Sequence, residues 1–203
     1  MATFTVQVEE YSPADLLDHC GGPPWEPSAG RAALLVHDLQ PYYLDVLAPG
    51  VRSWLCAGVE RALSWADRHG VPVLASRPRP AREQAQRGLL GSLWGLGPSS
   101  AQAHEAGVPR LAGVDVTWIA KRSYSAFYAT DLAAELRRTG RDQLVVTGVY
   151  ASAGILATSF DALARDVEVF VPVAATADYT ARHHVRGLDS IAALTGRVLP
   201  DIG

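Results

Sequence analysis

The chain has 203 residues, 48% of them hydrophobic, with two cysteines and a formal net charge of -3 at pH 7. This charge excludes the basic field with which proteins bind nucleic acids or anionic membranes. Two cysteines are too few for a disulfide framework or a structural zinc site. No apolar run approaches the roughly 18 residues of a membrane span, and the first ten residues contain two acids and no basic residue, unlike a signal peptide. We therefore expect one cytoplasmic domain over residues 1–203, with an irregular arm at residues 1–30.

The hydrophobic pattern predicts strands and helices in alternation. Residues 32–36 form an apolar run without polar alternation, which is typical of a strand buried on both faces. Further strands are predicted at 71–75, 114–120, 143–149, 167–174 and 197–199, and helices at 51–69, 131–139, from 150 onward and at 180–194. This order predicts an α/β fold, a three-layer α/β/α Rossmann-like domain with a mainly parallel six-stranded sheet.

Polar residues follow three of these strands directly. Asp38 follows the first strand, Lys121 the third, and residues 150–154 the fourth. Because the carboxyl ends of parallel strands meet at one edge of a sheet, these side chains are expected around one cleft. Asp38 could instead cap a turn, and Asp38 with Lys121 could form a purely structural ion pair. The helix start beside them adds free N–H groups for a negative oxygen, and this convergence favours a functional site.

The longest irregular segment follows the second strand, at residues 76–100. Loops of this length in compact domains are usually functional or mobile. The segment brings a cationic and aromatic set to a strand end, namely Arg77, Arg79, Arg82, Arg87 and Trp94. Solvated arginines are the alternative interpretation, and we prefer it for Arg79 and Arg82.

Four motifs resemble one protein family. The stretches LLVHDLQPYYL, RGLLGSLWG, KRSYSAFYATDL and VVTGVYASAGILATSFDALARDVEVF, in this order and spacing, are similar to the isochorismatase-like hydrolases over about residues 31–184. The resemblance is strongest to isochorismatase and to the phenazine-pathway hydrolase of 2-amino-2-deoxyisochorismate, which both cleave an enolpyruvyl ether to pyruvate and a dihydroaromatic acid. It implies a chorismate-derived small-molecule substrate, no metal or organic cofactor, a homodimer, and a role in secondary-metabolite or antibiotic biosynthesis.

The chemistry expected from this resemblance is that of an acid. The cysteine hydrolases of the family carry their nucleophile at the position of Ile155, and a hydrocarbon side chain cannot attack an amide. Hydrolysis of a vinyl ether needs no nucleophile, only an acid to protonate the terminal methylene, and the resemblance assigns that role to Asp38. We expect burial to raise the pKa of Asp38, and Lys121 to be engaged mainly with a substrate carboxylate or hydroxyl.

The resemblance also implies a set of substrate-binding residues: Arg77, Arg87, Trp94, Tyr150, Ser152 and Gly154. Arg87 suits a carboxylate, and the indole of Trp94 could form a wall against the ring. Tyr150 could equally be a core tyrosine with a satisfied hydroxyl. Two positions depart from the family pattern. Arg77 replaces a glutamine, which suggests either a further acid on the ligand or a different orientation of the ligand, and Ser152 replaces a histidine, which enlarges or dries the site locally.

Two alternative functions follow from the same residues. The stretch at residues 150–154 is a degenerate G-x-S-x-G elbow around Ser152, and Asp178, His183 and His184 follow in the order used by serine hydrolases. The elbow lacks its first glycine, and both histidines lie in a predicted helix. The second alternative is a binding module whose chemistry has decayed, which the changes at Arg77 and Ser152 permit.

Overall fold

A parallel β-sheet forms the centre of the protein. The computed structural model describes residues 7–113 and 115–203, so Val114, the predicted first residue of the third strand, lies outside the described residues. The strands are β1 (Ala32–His37), β2 (Val73–Pro78), β3 (Val116–Lys121), β4 (Gln143–Val149), β5 (Glu168–Pro172), β6 (Thr176–Ala177) and β7 (Gly196–Leu199).

The first strand shows why an uninterrupted apolar run is needed at the centre of this sheet. Every residue of β1 is buried. Leu34 and Val36 belong to a hydrophobic cluster on one side of the sheet, whereas Ala33 and Leu35 belong to a second cluster on the other side. From Ala32 to Val36 the strand is covered on both faces and carries only apolar side chains, which confirms the predicted three-layer α/β/α fold.

The order of the strands places the site. They run β3-β2-β1-β4-β5-β7, all their pairings are parallel, and β6 pairs with β4. The chain moves outward from β1 through β2 to β3, and then returns to the other side of β1 with β4. The carboxyl ends of β1 and β4 therefore flank the point at which the strand order reverses, where open α/β sheets bind ligands. The two-residue strand β6, which makes seven strands, was not predicted.

Helices cover both faces of the sheet. They are α1 (Pro41–Leu44), α2 (Pro49–His69), α3 (Gln84–Arg87), α4 (Leu89–Trp94), α5 (Ser100–His104), α6 (Arg110–Gly113), α7 (Leu132–Arg138), α8 (Leu156–Leu163) and α9 (Ala181–Leu194). A turn of π-helix at Ala151–Ile155 precedes α8, and 3-10 turns occupy Pro13–His19 and Val173–Ala175. None of the helices described is long and apolar enough to cross a membrane.

Helix ends follow the local signals in the sequence. Gly70 and Gly140 adopt left-handed φ values of 63° and 65° after α2 and α7. Thr180 accepts a hydrogen bond from the N–H of His183 and caps α9. The bounds predicted for these helices are confirmed to within two residues, because each has a glycine or a capping side chain at its end.

Two predicted segments differ from the structure. Strand β2 was predicted at residues 71–75 but extends to Pro78, because it is paired with β3 as far as Pro78 and Lys121. Ser76 and Arg77 thus lie inside a strand. The segment predicted to be irregular after β2 contains the short helices α3 and α4, which lack long-range periodicity and were not visible in the sequence.

One close approach joins α2 to the 3-10 turn that follows β5. A Cβ added at Gly58 would overlap the carbonyl oxygen of Ala174. Glycine within a helix costs stability, so its presence in the middle of α2 is explained by this contact.

We expect Gly58→Ala to lower the free energy of unfolding by about 2–4 kcal/mol, because the new methyl must push the helix away from the sheet layer. Gly113→Ala is the matched control, since a Cβ there meets nothing within 4 Å. Urea denaturation of both variants measures the difference. Equal midpoints for Gly58→Ala and the parent protein would contradict this packing.

Candidate active site

A cavity of about 340 Å³ opens at the carboxyl edge of the sheet, near the ends of β1, β3 and β4. Its volume lies in the range that small-molecule sites occupy. It is lined by Asp38, Tyr42, Tyr43, Val46, Pro78, Arg87, Leu90, Trp94, Gly97, Lys121, Arg122, Ser123, Tyr124, Val149, Tyr150, Ala153, Gly154 and Tyr179. Of the predicted site residues, six reach this cavity: Asp38, Arg87, Trp94, Lys121, Tyr150 and Gly154.

Asp38 occupies the first position after β1 and is buried, with 9% of its surface exposed. Its φ is 49°, in the left-handed region that residues other than glycine seldom adopt, and such backbone values cluster at functional sites. The hydroxyl of Ser76 in β2 stabilises this conformation, because it contacts both the backbone and the side chain of Asp38. The Ser76 Oγ accepts the Asp38 N–H at 3.0 Å and donates to Asp38 Oδ1 at 2.7 Å.

Lys121 ends β3 and binds the other carboxylate oxygen. Its Nζ lies 2.7 Å from Asp38 Oδ2, and the same ammonium donates to the carbonyl oxygens of Ser123 at 2.9 Å and Tyr124 at 3.2 Å. An ammonium has three donors, and all three are engaged within the protein. In the free protein Lys121 is thus fully engaged with Asp38 and two carbonyl groups, and its engagement with a substrate group stays a prediction.

The net pKa of Asp38 in the free protein is lowered, whereas we expected burial to raise it. Burial does act in that direction and is the largest single influence on this carboxyl. The charge of Lys121, together with hydrogen bonds from Lys121 and Ser76 to the carboxylate, outweighs it, and the net pKa is lowered from the ordinary value of 3.8. Asp38 is thus ionised at neutral pH before substrate binds.

His37 lies behind this pair and is fully buried. Its Nδ1 is 2.8 Å from the carbonyl oxygen of Val149 and 3.7 Å from Asp38 Oδ2, while its Nε2 faces the carbonyl oxygen of Tyr124 at 3.3 Å. Burial lowers the pKa of His37 to about 4, so the ring is neutral at pH 7. A Cβ at Gly154 would overlap this ring, which explains the glycine at the start of the helical segment after β4.

Tyrosines form one wall of the cavity. The rings of Tyr150 and Tyr179 stack with their centroids 4.1 Å apart, and the Tyr150 hydroxyl donates to the Tyr43 carbonyl oxygen at 2.8 Å. Burial raises the pKa of Tyr150 far above its ordinary value, so the hydroxyl keeps its proton. The peptide bond between Val149 and Tyr150 is cis. Tyr150 therefore lines the cavity with a satisfied hydroxyl, which combines both interpretations of this residue.

The segment after β2 forms the opposite wall. The Trp94 Nε1–H donates to the Tyr124 hydroxyl at 2.6 Å, which joins α4 to the loop after β3. Arg87 hydrogen-bonds the hydroxyl of Tyr43, and this contact and the charge of Arg87 partly offset the rise that burial causes in the pKa of Tyr43. The indole and the guanidinium predicted to contact substrate thus border the same cavity as Asp38.

Arg77 does not border this cavity, which corrects the expectation that it contacts substrate there. Its guanidinium carbon lies 5.4 Å from the centre of the Trp118 ring. The reason is the alternation of side chains along β2. Ser76 points to Asp38, and Arg77 shares the opposite face with Ala75, which packs in the cluster that includes α2.

Ser152 does not border it either. Its N–H donates to Asp178 Oδ2 at 2.7 Å, and its side chain also binds Asp178. The histidines that a serine nucleophile would need are engaged elsewhere, since His183 binds Thr180 Oγ1 and His184 binds Thr176 Oγ1. Sequence order alone suggested a triad, but the structure pairs this serine with an acid and with no histidine in the described part of the chain.

Neither a thiol nor a metal cluster is found at the site. Ile155 is fully buried in the core at the position where the family's cysteine hydrolases have their nucleophile, and neither Cys20 nor Cys56 borders the cavity. Within residues 7–113 and 115–203, no three His, Cys, Asp or Glu side chains are grouped so that they could hold a metal ion.

Several residues of the site were not identified from the sequence. Ser76 was not among the predicted site residues, and only the register of β1 and β2, in which Val36 faces Ala75, places it beside the end of β1. Tyr43, Tyr124 and Tyr179 come from three separate segments, and no local pattern connects them.

Removing the cation of the buried pair tests its energetics. We expect Lys121→Met to lower the free energy of unfolding by about 3–5 kcal/mol at pH 7, because it leaves Asp38 buried and unpaired. Without Lys121, burial raises the pKa of Asp38 above its unfolded value of about 3.9, so protonation relieves the cost and the deficit shrinks as the pH falls below that raised pKa.

The double variant Asp38→Asn with Lys121→Met is the matched control and should regain most of the lost stability, because no unpaired charge remains. Thermal unfolding between pH 4 and 8 measures both effects. A Lys121→Met deficit that is independent of pH would contradict the assignment.

Comparison with known proteins shows the same architecture and a specific sequence relationship. Residues 32–200 match the isochorismatase domain family. The chain is 36% identical to phenazine biosynthesis protein PhzD of Pseudomonas fluorescens, over 86% of this chain and 85% of that protein. It is 33% identical to isochorismatase of Bacillus subtilis, over 83% of this chain and 55% of that protein.

Among solved structures, a cysteine hydrolase from Pseudomonas syringae pv. phaseolicola superposes with a TM-score of 0.73 at 22% identity, over 86% of this chain and 91% of that one. At this identity the likeness concerns the fold. The match over residues 32–200 and the identities above 30% show that the chain is a member of the isochorismatase family of hydrolases.

Proposed function

We propose that the protein hydrolyses the enolpyruvyl ether of isochorismate, of 2-amino-2-deoxyisochorismate or of a close derivative, releasing pyruvate and a dihydroaromatic acid. The observation that carries this proposal is a buried carboxyl, Asp38, bordering a cavity that contains no thiol. The names of the related proteins, PhzD and isochorismatase, agree with this substrate class.

In the proposed reaction Asp38 is the general acid. It transfers a proton to the terminal methylene of the vinyl ether, and an oxocarbenium ion forms at the ether carbon. Water adds to this carbon and returns a proton to the Asp38 carboxylate. The resulting hemiketal collapses, so that the bond between carbon and the ring oxygen breaks and pyruvate and the ring alcohol leave. The acid is regenerated and no nucleophile on the protein is required.

Lys121 favours the transition state of the first step. As the proton leaves Asp38, a carboxylate develops, and the Lys121 ammonium at 2.7 Å and the Ser76 hydroxyl at 2.7 Å are already placed to stabilise it. The same contacts keep Asp38 ionised in the free protein. The acid must therefore gain its proton when substrate binds.

The charge of the substrate explains why Asp38 would gain a proton on binding. Isochorismate and its amino analogue each carry two carboxylates, and negative charge brought into a buried cavity raises the pKa of a neighbouring carboxyl. A substrate carboxylate that draws part of the Lys121 ammonium away from Asp38 acts in the same direction. We propose that the pKa of Asp38 rises on binding, from the lowered value in the free protein into the range where the acid form is populated.

The walls of the cavity suit the rest of such a substrate. Arg87 offers a guanidinium to a carboxylate, and the rings of Trp94 and Tyr150 offer flat apolar surfaces to a cyclohexadiene. Because Gly154 has no side chain, the helical segment after β4 can approach the ring of His37 closely. The family resemblance further supports a cytoplasmic homodimer that serves secondary-metabolite biosynthesis, which sedimentation and the genomic neighbourhood can test.

We expect Asp38→Asn and Asp38→Ala to reduce pyruvate release by at least about a thousandfold while ligand binding is retained, because proton transfer is lost but the cavity remains. A lactate dehydrogenase-coupled assay with isochorismate, its amino analogue and chorismate measures turnover, and calorimetry measures binding. Asp166→Asn, an exposed acid with a left-handed φ that asparagine tolerates, is the control.

The outcomes separate the candidate functions. Retained pyruvate release in Asp38→Ala would refute the assigned acid. Binding of isochorismate by the parent protein without any pyruvate release would favour the decayed binding module instead.

The pH dependence follows from the lowered pKa. In the free protein, the carboxyl stretch of Asp38 in a difference infrared spectrum against Asp38→Asn should titrate below pH 3.8. With Asp38→Ala as the spectral reference and a saturating non-hydrolysable dicarboxylate, the midpoint should move up by at least about one pH unit. The kcat of the parent protein should fall as the pH rises through this bound-state midpoint. An identical midpoint with and without ligand would show that substrate does not load the acid.

A further inference from the structure

The charged groups that border the cavity do not balance. They are Asp38, Arg87, Lys121 and Arg122. Asp38 and Lys121 neutralise each other across 2.7 Å. The two remaining groups are guanidinium ions, which keep their charge at every physiological pH. The cavity therefore has a net positive charge of two, within a chain whose net charge is -3.

Both guanidinium groups have capacity for a ligand. Arg122 is exposed at the first position after β3, and it forms no ion pair or hydrogen bond with any residue that the structure describes. Arg87 hydrogen-bonds only the neutral hydroxyl of Tyr43 in that part of the chain, and its buried Nε has no partner there. Arginines outside the cavity also have an Nε without a partner in the described chain, but Arg87 is the arginine of this kind that borders the cavity, so a bound acceptor there can satisfy this donor.

We propose that Arg122 determines substrate specificity by binding a second carboxylate, and that Arg122 and Arg87 together select a dianion over a ligand with an additional cation. This inference rests on the proposed function and chooses between its substrates. Isochorismate has two carboxylates and a ring hydroxyl, whereas its amino analogue has the same carboxylates and a ring ammonium. The positive cavity favours the hydroxyl compound.

The physical basis is the balance of charge on binding. Two carboxylates neutralise the two guanidinium ions, and a planar guanidinium meets a carboxylate with two parallel hydrogen bonds. A ring ammonium adds one cation without a counterion to a partly desolvated space that already contains Arg87, Arg122 and the ammonium of Lys121. Among described residues, the only acid bordering the cavity is Asp38, which is paired with Lys121 in the free protein and protonated in the proposed complex, so it offers no carboxylate to a ring ammonium. At an effective dielectric constant of about 20, a like charge at about 6 Å would weaken binding about a hundredfold, and solvent screening at the exposed Arg122 reduces this to about tenfold.

The test compares kcat and KM of the parent protein and of Arg122→Gln for isochorismate and its amino analogue. The parent should prefer isochorismate by about tenfold in kcat/KM. Arg122→Gln should raise KM for isochorismate about tenfold, leave kcat within about twofold, and reduce the preference to about twofold. Arg122→Lys should keep most of the preference because it keeps the charge. Arg82→Gln, a cation outside the cavity, should change neither constant.

The inference is overturned if Arg122→Gln has the KM and preference of the parent protein, or if the parent uses the amino analogue as well as isochorismate. Calorimetric titration of isochorismate into Asp38→Asn, with and without Arg122→Gln, separates this inference from the proposed function. Tenfold weaker binding in the double variant supports Arg122 even if no substrate releases pyruvate, which would refute the proposed function alone. Equal binding in the two proteins refutes the role of Arg122.

Discussion

The ion pair between Asp38 and Lys121 is the interaction on which the rest of the site depends. It joins the ends of β1 and β3, two strands that are separated in the sheet by β2. Ser76 of that intervening strand binds the same carboxylate. Three adjacent strand ends are thus connected through one side chain at the carboxyl edge of the sheet. A buried pair of this kind is weak evidence for stability, since a well-packed apolar pair of the same volume is often as stable. The presence of the Asp38–Lys121 pair is therefore better explained by a chemical role of the carboxyl than by a contribution of the pair to the free energy of unfolding.

The same pair places two conflicting requirements on Asp38, which is held as an anion but must carry a proton to act as an acid. A carboxyl held as an anion is a strong acid once protonated, but it is seldom protonated in the absence of substrate. In the proposed reaction the anionic substrate resolves this conflict, because it changes the electrostatic environment of Asp38 when it enters. Ionised Asp38 and neutral His37 form the resting state of the site. Catalytic power would then be tied to occupancy by a ligand of the correct charge, which is also the property that the cationic walls select.

Much of the fold could be predicted from the sequence, because the features that specify it are local. The unbroken apolar run of β1, the glycine after α2 and the threonine that caps α9 each report on their own segment. The positions of Asp38 and Lys121 followed from the rule that parallel strands end at one edge. The direction of the Asp38 pKa did not follow. It depends on a 2.7 Å contact between residues 83 positions apart, and a sequence does not show whether burial or the nearby cation is the stronger influence.

Arg77 and Ser152 were predicted to contact substrate but do not border the cavity, and the reason is related. Both stand at positions that a family motif associates with substrate, yet one lies on the other face of an extended strand and the other is bound to Asp178. Which side a residue occupies depends on where the strand ends, and pairing with β3 extends β2 beyond its apolar run. Part of the cavity walls also escaped prediction, because Tyr43, Tyr124 and Tyr179 come from distant segments and meet only in the folded chain.

The site is built from two kinds of segments, and the hydrogen bond between Trp94 and Tyr124 lies within one of them. Asp38, Ser76 and Lys121 belong to the strand ends and are anchored by the registers of the sheet. Trp94, Arg87 and Arg122 belong to connecting segments that cross above it and are held together at their tips. Changes in those segments can therefore alter which molecules the cavity admits while Asp38, Ser76 and Lys121 keep their positions. This division allows the ligand-binding segments of one fold to vary while the buried residues at the strand ends are kept.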